Sequence, residues 1–351
     1  MAEPLVARAK PCLVTLGRKG RSYAWCACGR SATQPFCDGS HKGTGIEPVV
    51  FRARADGEEV LLCCCKRTRT PPYCDGSHNA LSDSYAEASE DERRATADIP
   101  LTPQVGGKAL LDGGAFVRTP DTATADEAGG WRILPIVTSA DGAGLLSLYR
   151  LEAGRKATAP LGFGDGETVL FVAAGHGTVT IADRPFPVAP ESGLHVRAGE
   201  SIRAAADGDP MVLFATVSGS GTEPRPGVGG GAFDGTVPDR VHGVDPALRQ
   251  AMADRFYQVL VGPETGAREI TLFIGEIPRS RAAPHHHLYE ETILILSGEG
   301  QMWTEGARAA VRPGDVIFLP RKQLHSLECT DPAGMRLAGS FCPAGSPAIN
   351  Y

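Results

Sequence analysis

The chain has 351 residues, 22% charged and 42% hydrophobic, enough for two or three compact domains each with its own core. Its 43 Gly and 27 Pro favour turns and short strands, and no apolar run approaches the roughly 20 residues that span a bilayer. Net charge is −6 but uneven, with 12 Lys+Arg against 7 Asp+Glu in residues 1–80; no basic run is interleaved with aromatics, so neither nucleic acid nor a membrane is an expected partner.

The opening MAEPLVARAK lacks the apolar stretch of a cleaved signal, which points to the cytoplasm. Thiols stay reduced there, so of the ten cysteines the six that fall into two identical spacing patterns read as metal ligands rather than disulfides. Residues 1–80 hold two copies of one spacing, C-x-C-x8-C-x3-H: Cys26, Cys28, Cys37 and His41, then Cys63, Cys65, Cys74 and His78. A hydroxyl residue (Ser31, Thr68) lies three after the second Cys, and a proline (Pro35, Pro72) two before the third. Cys-x-Cys offers two soft thiolates on one extended segment, and the Cys-Asp-Gly-Ser-His turn returns one thiolate and one imidazole. Gly39 and Gly76 permit that turn, and Asp38 and Asp75 are placed to accept backbone amides around it. Three Cys and one His also suit a structural zinc.

The residues between the ligands decide for iron–sulfur. Both segments resemble the CDGSH iron–sulfur domain of the mitoNEET-like family, meeting C-x-C-x2-(S/T)-x3-P-x-C-D-G-S-H at each defined position. The resemblance covers about residues 10–80 and is similar to the monomeric class, whose two motifs form a pseudo-dimer. It implies one [2Fe-2S] cluster per motif, with His41 and His78 as solvent-accessible ligands that couple electron to proton transfer. Cys64, between two ligands, is expected to point away from the cluster, and Cys12 to be a small buried hydrophobe.

Residues 81–105 read as an acidic linker, with a surface helix available from about Ser82 to Ala97. Next comes a strand-rich body, with 106–217 as one barrel, 218–245 as a Gly/Pro-rich linker and 246–351 as a second barrel whose residues 246–256 look helical. Trp131–Pro160 and Arg255–Pro284 are internal repeats: Gly142 matches Gly266, Leu148 matches Leu272 and Pro160 matches Pro284. The match runs on through Glu167-Thr168 against Glu291-Thr292, after which a one-residue slip sets Val188 and Pro190 opposite Val311 and Pro313. Short alternating strands between Gly/Pro turns fit antiparallel jelly-roll barrels. The fold class is therefore mainly β: a small two-motif iron–sulfur domain followed by two tandem barrels.

In the second barrel, strand alternation puts His285 and His287 on one face, with Glu291 past a bend and His325 on a neighbouring strand. Three imidazoles and a carboxylate suit a mononuclear divalent metal, iron foremost, with Mn, Ni or Zn as alternatives. These residues resemble the two cupin motifs, H-x-H-x3-E-x6-G and G-x5-P-x-G-x2-H, with Lys322 where the second has Gly. The resemblance makes His285, His287, Glu291 and His325 the ligands. The first repeat sets Leu161, Phe163 and Ile202 opposite the three histidines and keeps only Glu167, so it is a degenerate cupin barrel without metal. His176 and His195 fall outside the ligand positions.

The combination suggests an iron-dependent oxygenase or oxidase acting on a small molecule. Electrons from a reductase would pass through the clusters to the barrel metal, where dioxygen reacts, by analogy with Rieske oxygenases. Tyr289, Glu290, Gln301 and Trp303 are candidate substrate or outer-sphere contacts. The competing readings are a redox or iron sensor with a ligand-binding or dimerising bicupin, and a redox-neutral metalloenzyme regulated by its clusters.

Overall fold

A computed structural model describes residues 3–81, 87–121, 124–252 and 254–349. The chain forms two units: residues 3–81 with the C-terminal segment 346–349, and residues 87–345. Among the described residues no helix is long and apolar enough to cross a membrane.

The first unit is a duplication with exchanged strands. Ser22–Trp25 leads into Cys26 and pairs antiparallel with Val49–Arg52, while Glu59–Leu62 leads into Cys63 and pairs with Cys12–Thr15. Each ligand-bearing strand therefore pairs with the opening strand of the other repeat. The shared core is small, consisting of Leu16, Trp25, Ala53, Val60 and Leu62 packed with Cys63 and Cys65. Cys12 and Cys64 form a disulfide, Cα–Cα 6.1 Å, which corrects both the expectation of reduced thiols throughout and the assignment of Cys12 as a lone hydrophobe.

The second unit is mainly β. The first barrel packs a seven-stranded sheet, built around Thr168–Ala174, Met211–Ser218 and Leu146–Ala153, against a five-stranded one. The second packs an eight-stranded sheet against Arg308–Val311, Gly300–Trp303 and Ser326–Cys329. Alternation along each strand sends one set of side chains inside and the other onto the partner barrel. Thus Trp131 and Ile133 fill the first barrel's interior, while Leu134 and Ile136 join Leu260, Leu272 and Leu294 in an apolar core between the barrels.

The boundaries expected from sequence need correction, because the barrels exchange segments. Phe116–Arg118, which precedes the first barrel, pairs with Val316–Leu319 of the second, and Lys108–Leu110 extends that sheet. Val241–His242, which precedes the second barrel, pairs with Gly193–Val196 of the first. Residues 218–245 are no free linker either. Arg225–Pro226 adds to Leu161–Gly162, and the fully buried Arg240 grips Glu200 through two bonds of 2.6 and 3.0 Å. Of the helix expected from Ser82 to Ala97, residues 82–86 lie outside the described residues; the described part holds a turn-and-a-half of helix, Glu90–Ala95, capped by Ser89 and Glu92, and Ala88 donates to Arg281 of the second barrel. Among the described residues of 246–256 there is no α-helix. Pro246–Leu248 is a short 3-10 turn and Gln250–Met252 pairs as a strand with Arg255–Tyr257.

Candidate metal centres

In the head, the two motifs repeat one set of hydrogen bonds. The Ser31 and Thr68 hydroxyls donate to the carbonyls of Phe36 and Tyr73, each at 2.6 Å. Asp38 accepts from the amides of Ala32 and Ser40, and Asp75 from those of Arg69 and Ser77. Gly39 and Gly76 hold φ of 96° and 85°, so the Cys-Asp-Gly-Ser-His turn closes in both copies. The donors come as pairs: Cys26 and Cys28 sulfurs 3.8 Å apart, Cys37 Sγ and His41 Nδ1 3.1 Å, Cys63 and Cys65 3.4 Å, Cys74 Sγ and His78 Nδ1 3.2 Å. Burial pushes the Cys65 thiol up to about 11 and Cys74 up to about 12, so both hold their protons near neutral pH until a bound metal displaces them.

The two halves differ at the histidines, which corrects the expectation that both are open to solvent. His41 is partly exposed, its Nε2 3.5 Å from the surface carboxylate of Glu47. His78 is 1% exposed, and its Nε2 is buried with no hydrogen-bond partner among the described residues. Burial lowers its pKa.

In the second barrel, the ligand atoms of His285, His287 and His325 lie within 4.8 Å of one another. Among the described residues they are the only three such groups that converge as a single ion requires. A backbone bridge between His285 and His325 joins the two strand ends. His285 Nδ1 is 2.9 Å from Ala283 O and His325 Nδ1 2.8 Å from Gln323 O, so each Nδ1–H donates and leaves Nε2 to bind a metal. His287 stacks on Tyr289, and Tyr289 on Phe341. Glu291 is buried with a carboxylate oxygen 3.6 Å from His287 Nε2. Burial alone raises Glu291 to about 8; burial first, then neighbouring positive charge, lowers His325 to about 4 and holds His285 well below the ordinary imidazole range. Neutral imidazoles beside a buried carboxyl are the donor set a divalent cation would complete. Lys322 keeps the motif's glycine geometry with φ of 66°, and its amide donates to His287 O at 2.7 Å.

The first barrel repeats the frame with other residues. Leu161 pairs with Ile202 as His285 pairs with His325, and Leu161, Phe163 and Ile202 are all in the apolar interior. The carboxylate needs correction. Thr168 pairs with Val217 and Val196, whereas Glu291 pairs with Phe341 and Leu319, each the seventh residue and the last of equivalent strands. Thr168 therefore occupies the place of Glu291, and Glu167 that of Glu290. The two displaced carboxylates share a job: Glu167 accepts the amides of Arg268 and Glu269, and Glu290 those of Gly144 and Leu145. His195, fully buried, bonds Glu167 at 2.9 Å.

Of the other candidates, Tyr289 stacks on the donor histidine His287. Glu290 binds the opposite barrel, Gln301 accepts from Arg308, and Trp303 donates to Glu328 beneath the guanidinium of Arg281. Sequence reasoning passed over Lys66, which stands where the other motif has Gly29, and the carbonyls of Ala283 and Gln323, which carry no sequence signal.

Comparison with known proteins finds matches to a segment of the head and to a segment of the second barrel. Residues 5–42 match the family described as iron-binding zinc finger, CDGSH type, and residues 276–339 match the cupin domain. The head is 49% identical over 55 residues to the mitochondrial CDGSH iron-sulfur domain-containing protein 3 of Mus musculus, covering 15% of this chain and 39% of that protein. A 101-residue stretch is 27% identical to quercetin 2,3-dioxygenase of Bacillus subtilis, covering 27% of this chain and 30% of that enzyme. The chain thus spans well under half the length of either relative. Among solved structures, the protein Ylba from E. coli superposes with a TM-score of 0.52 at 16% identity, covering 67% of this chain and 93% of that one. Oxalate decarboxylase from Lactobacillus farciminis gives 0.51 at 14%, covering 68% and 88%. These likenesses establish the two-barrel fold; the chain carries a CDGSH iron-binding segment and a cupin domain.

Proposed function

We propose that this chain, a CDGSH head joined to a cupin body, is a metal-dependent oxygenase or oxidase of a small molecule, with two [2Fe-2S] clusters feeding electrons to a mononuclear iron. The observation that carries the reading is the convergence of His285, His287 and His325, with the Nδ1 atoms of His285 and His325 committed to carbonyls. On this reading the three histidines and Glu291 form the catalytic centre. The paired spacing of the head donors, with no three of them drawn to single-ion distances among the described residues, favours a two-iron cluster over zinc.

Iron held by His285, His287, His325 and Glu291 would supply Lewis acidity and a place for dioxygen and substrate to react. The chain's own residues do the rest. The Ala283 and Gln323 carbonyls fix two rings and raise their basicity as donors. The Tyr289–Phe341 stack holds His287 and walls that side with apolar surface, keeping water from it. Glu291 gives up its proton on metal binding. Inserting one oxygen atom of O2 while releasing the other as water takes two electrons and two protons, and two clusters each carrying one electron match that count.

The test is anaerobic purification with iron and sulfide counted, reduction of the clusters, then admission of oxygen. Reoxidation that slows strongly in His285→Ala supports the oxygenase; reoxidation indifferent to that change favours a sensor. Zinc or nickel at the barrel site, with turnover independent of cluster redox state, favours the redox-neutral metalloenzyme.

A further inference from the structure

Lys66 carries three costs at once. Its φ is 63°, a left-handed conformation that disfavours any residue with a Cβ. Its side chain is 7% exposed, and burial of an ammonium is expensive unless it is compensated. It also departs from its counterpart: the residue following Cys-x-Cys in the first motif is Gly29, at φ 76°, where an added Cβ would sit 1.8 Å from the carbonyl oxygen of Leu5. The same turn in two copies thus takes glycine once and a buried lysine once.

What offsets these costs lies around the ammonium. Lys66 Nζ donates to the Cys63 carbonyl at 3.1 Å and sits 4.6 Å from the centre of the Trp25 ring. Trp25 immediately precedes Cys26, and its Nε1 donates to the same Cys63 carbonyl at 2.8 Å. One motif's leading strand, the other motif's first ligand and the ammonium therefore meet at a single carbonyl. Lys66 directly follows the ligand Cys65 and donates to the carbonyl of the ligand Cys63, and the Trp25 ring it faces leads directly into the ligand Cys26, so the ammonium is placed against both donor sets. Burial lowers its pKa, and the thiolates of Cys26, Cys63, Cys28 and Cys65 favour the ammonium form against that. Two ferric ions, two sulfides and three thiolates leave about one net negative charge, and a one-electron reduction makes it about two. A cation reaching both sites favours the reduced form of each.

We propose that Lys66 is a shared counter-charge of the two clusters, a positioning residue that sets both reduction potentials together and, with Trp25, joins the two motifs into one electron-accepting unit. The proposal rests on the reading that each motif holds a [2Fe-2S] cluster.

The experiment uses the full chain with iron and sulfide quantified, its potentials followed by optical and EPR titration with a chemical reductant. Wild type is compared with Lys66→Met, Lys66→Arg and Lys66→Gly, the last removing charge and backbone strain together. In Lys66→Met and Lys66→Gly the reduction equilibrium of both clusters is expected to shift about tenfold towards the oxidised form, about 59 mV for a one-electron couple, while Lys66→Arg stays near wild type. If Lys66→Met fails to keep its clusters, Lys66→Gly carries the comparison. Potentials that do not move, that move for one cluster alone, or that move equally in the arginine variant overturn the shared counter-charge. A wild type without two clusters' worth of iron and sulfide overturns the underlying reading instead, and the Lys66 role with it.

Discussion

Head and body are both duplications with exchanged segments, yet they treat their metal sites differently. The head keeps both donor sets, and the body keeps one and fills the other with Leu161, Phe163, Thr168 and Ile202. The difference follows from how much core each fold has. The first barrel buries more than a dozen apolar side chains in its interior, so a ligand can become a leucine without loss of the frame. The head's core is a handful of residues that includes two of the cluster thiols, and a chain of that size has little else to hold it.

The largest test of that contrast is metal removal. Stripping iron under reducing conditions is expected to abolish the head's cooperative melting transition while the body still melts cooperatively. Calorimetry of the full chain, with and without chelator, would show one transition vanish. A head transition that persists without iron would break the comparison.

Matched substitutions sharpen it within the body. His285→Ala is expected to weaken metal binding at the barrel by at least about 100-fold with the fold intact, since a direct ligand should cost no less than the 10–100-fold of an outer-shell partner. Leu161→Ala, its counterpart, should leave metal content unchanged but cost about 2–5 kcal/mol through the cavity it opens. Metal analysis and denaturant titration read the two effects separately; equal metal loss in both would mean the barrels are not independent sites. In the head, Cys12→Ser removes a disulfide spanning 52 residues and should cost about 2–4 kcal/mol of that unit's stability. A melting transition unchanged by the substitution or by dithiothreitol would show that the metal alone staples the head.

The sequence carried whatever depends on short spacing. Both Cys/His sets and His285, His287 and His325 were legible because their donors sit at fixed offsets on local turns and strand ends. What escaped depends on distant backbone pairing. The exchange joins 116–118 to 316–318, about two hundred residues away, and 241–242 to 193–194, about fifty away, and Cys12 meets Cys64 only because the opening strand of one repeat pairs with the ligand strand of the other. The Glu167 misassignment has a local cause. Both repeats carry Glu-Thr at that point, which hid the one-residue slip; the strand pairing places the slip before the dipeptide rather than after it. His41 and His78 occupy the same motif position, and only packing separates the exposed one from the buried one.

The smallest effect expected is also the most direct probe of the surviving site. Burial raises Glu291 to about 8, so the metal-free carboxyl is protonated at pH 7, while His325, lowered to about 4, and His285 are already neutral. Metal uptake at pH 7 should then release about one proton, from Glu291, and the release should fade as pH rises past 8. Affinity should climb about tenfold per pH unit up to that point and level beyond it. The metal-free fold feels the same groups with opposite signs. Glu291 is raised, so its contribution is full below its unfolded value and is lost as pH rises through 8; the histidines are lowered, so theirs is lost as pH falls from about 6.5 towards 4. Calorimetric titration in buffers of different ionisation enthalpy counts the proton, and Glu291→Gln should bring the count to zero. A count of zero in the wild type, or one that survives in Glu291→Gln, would remove Glu291 from the metal's ligands and leave three imidazoles as the site.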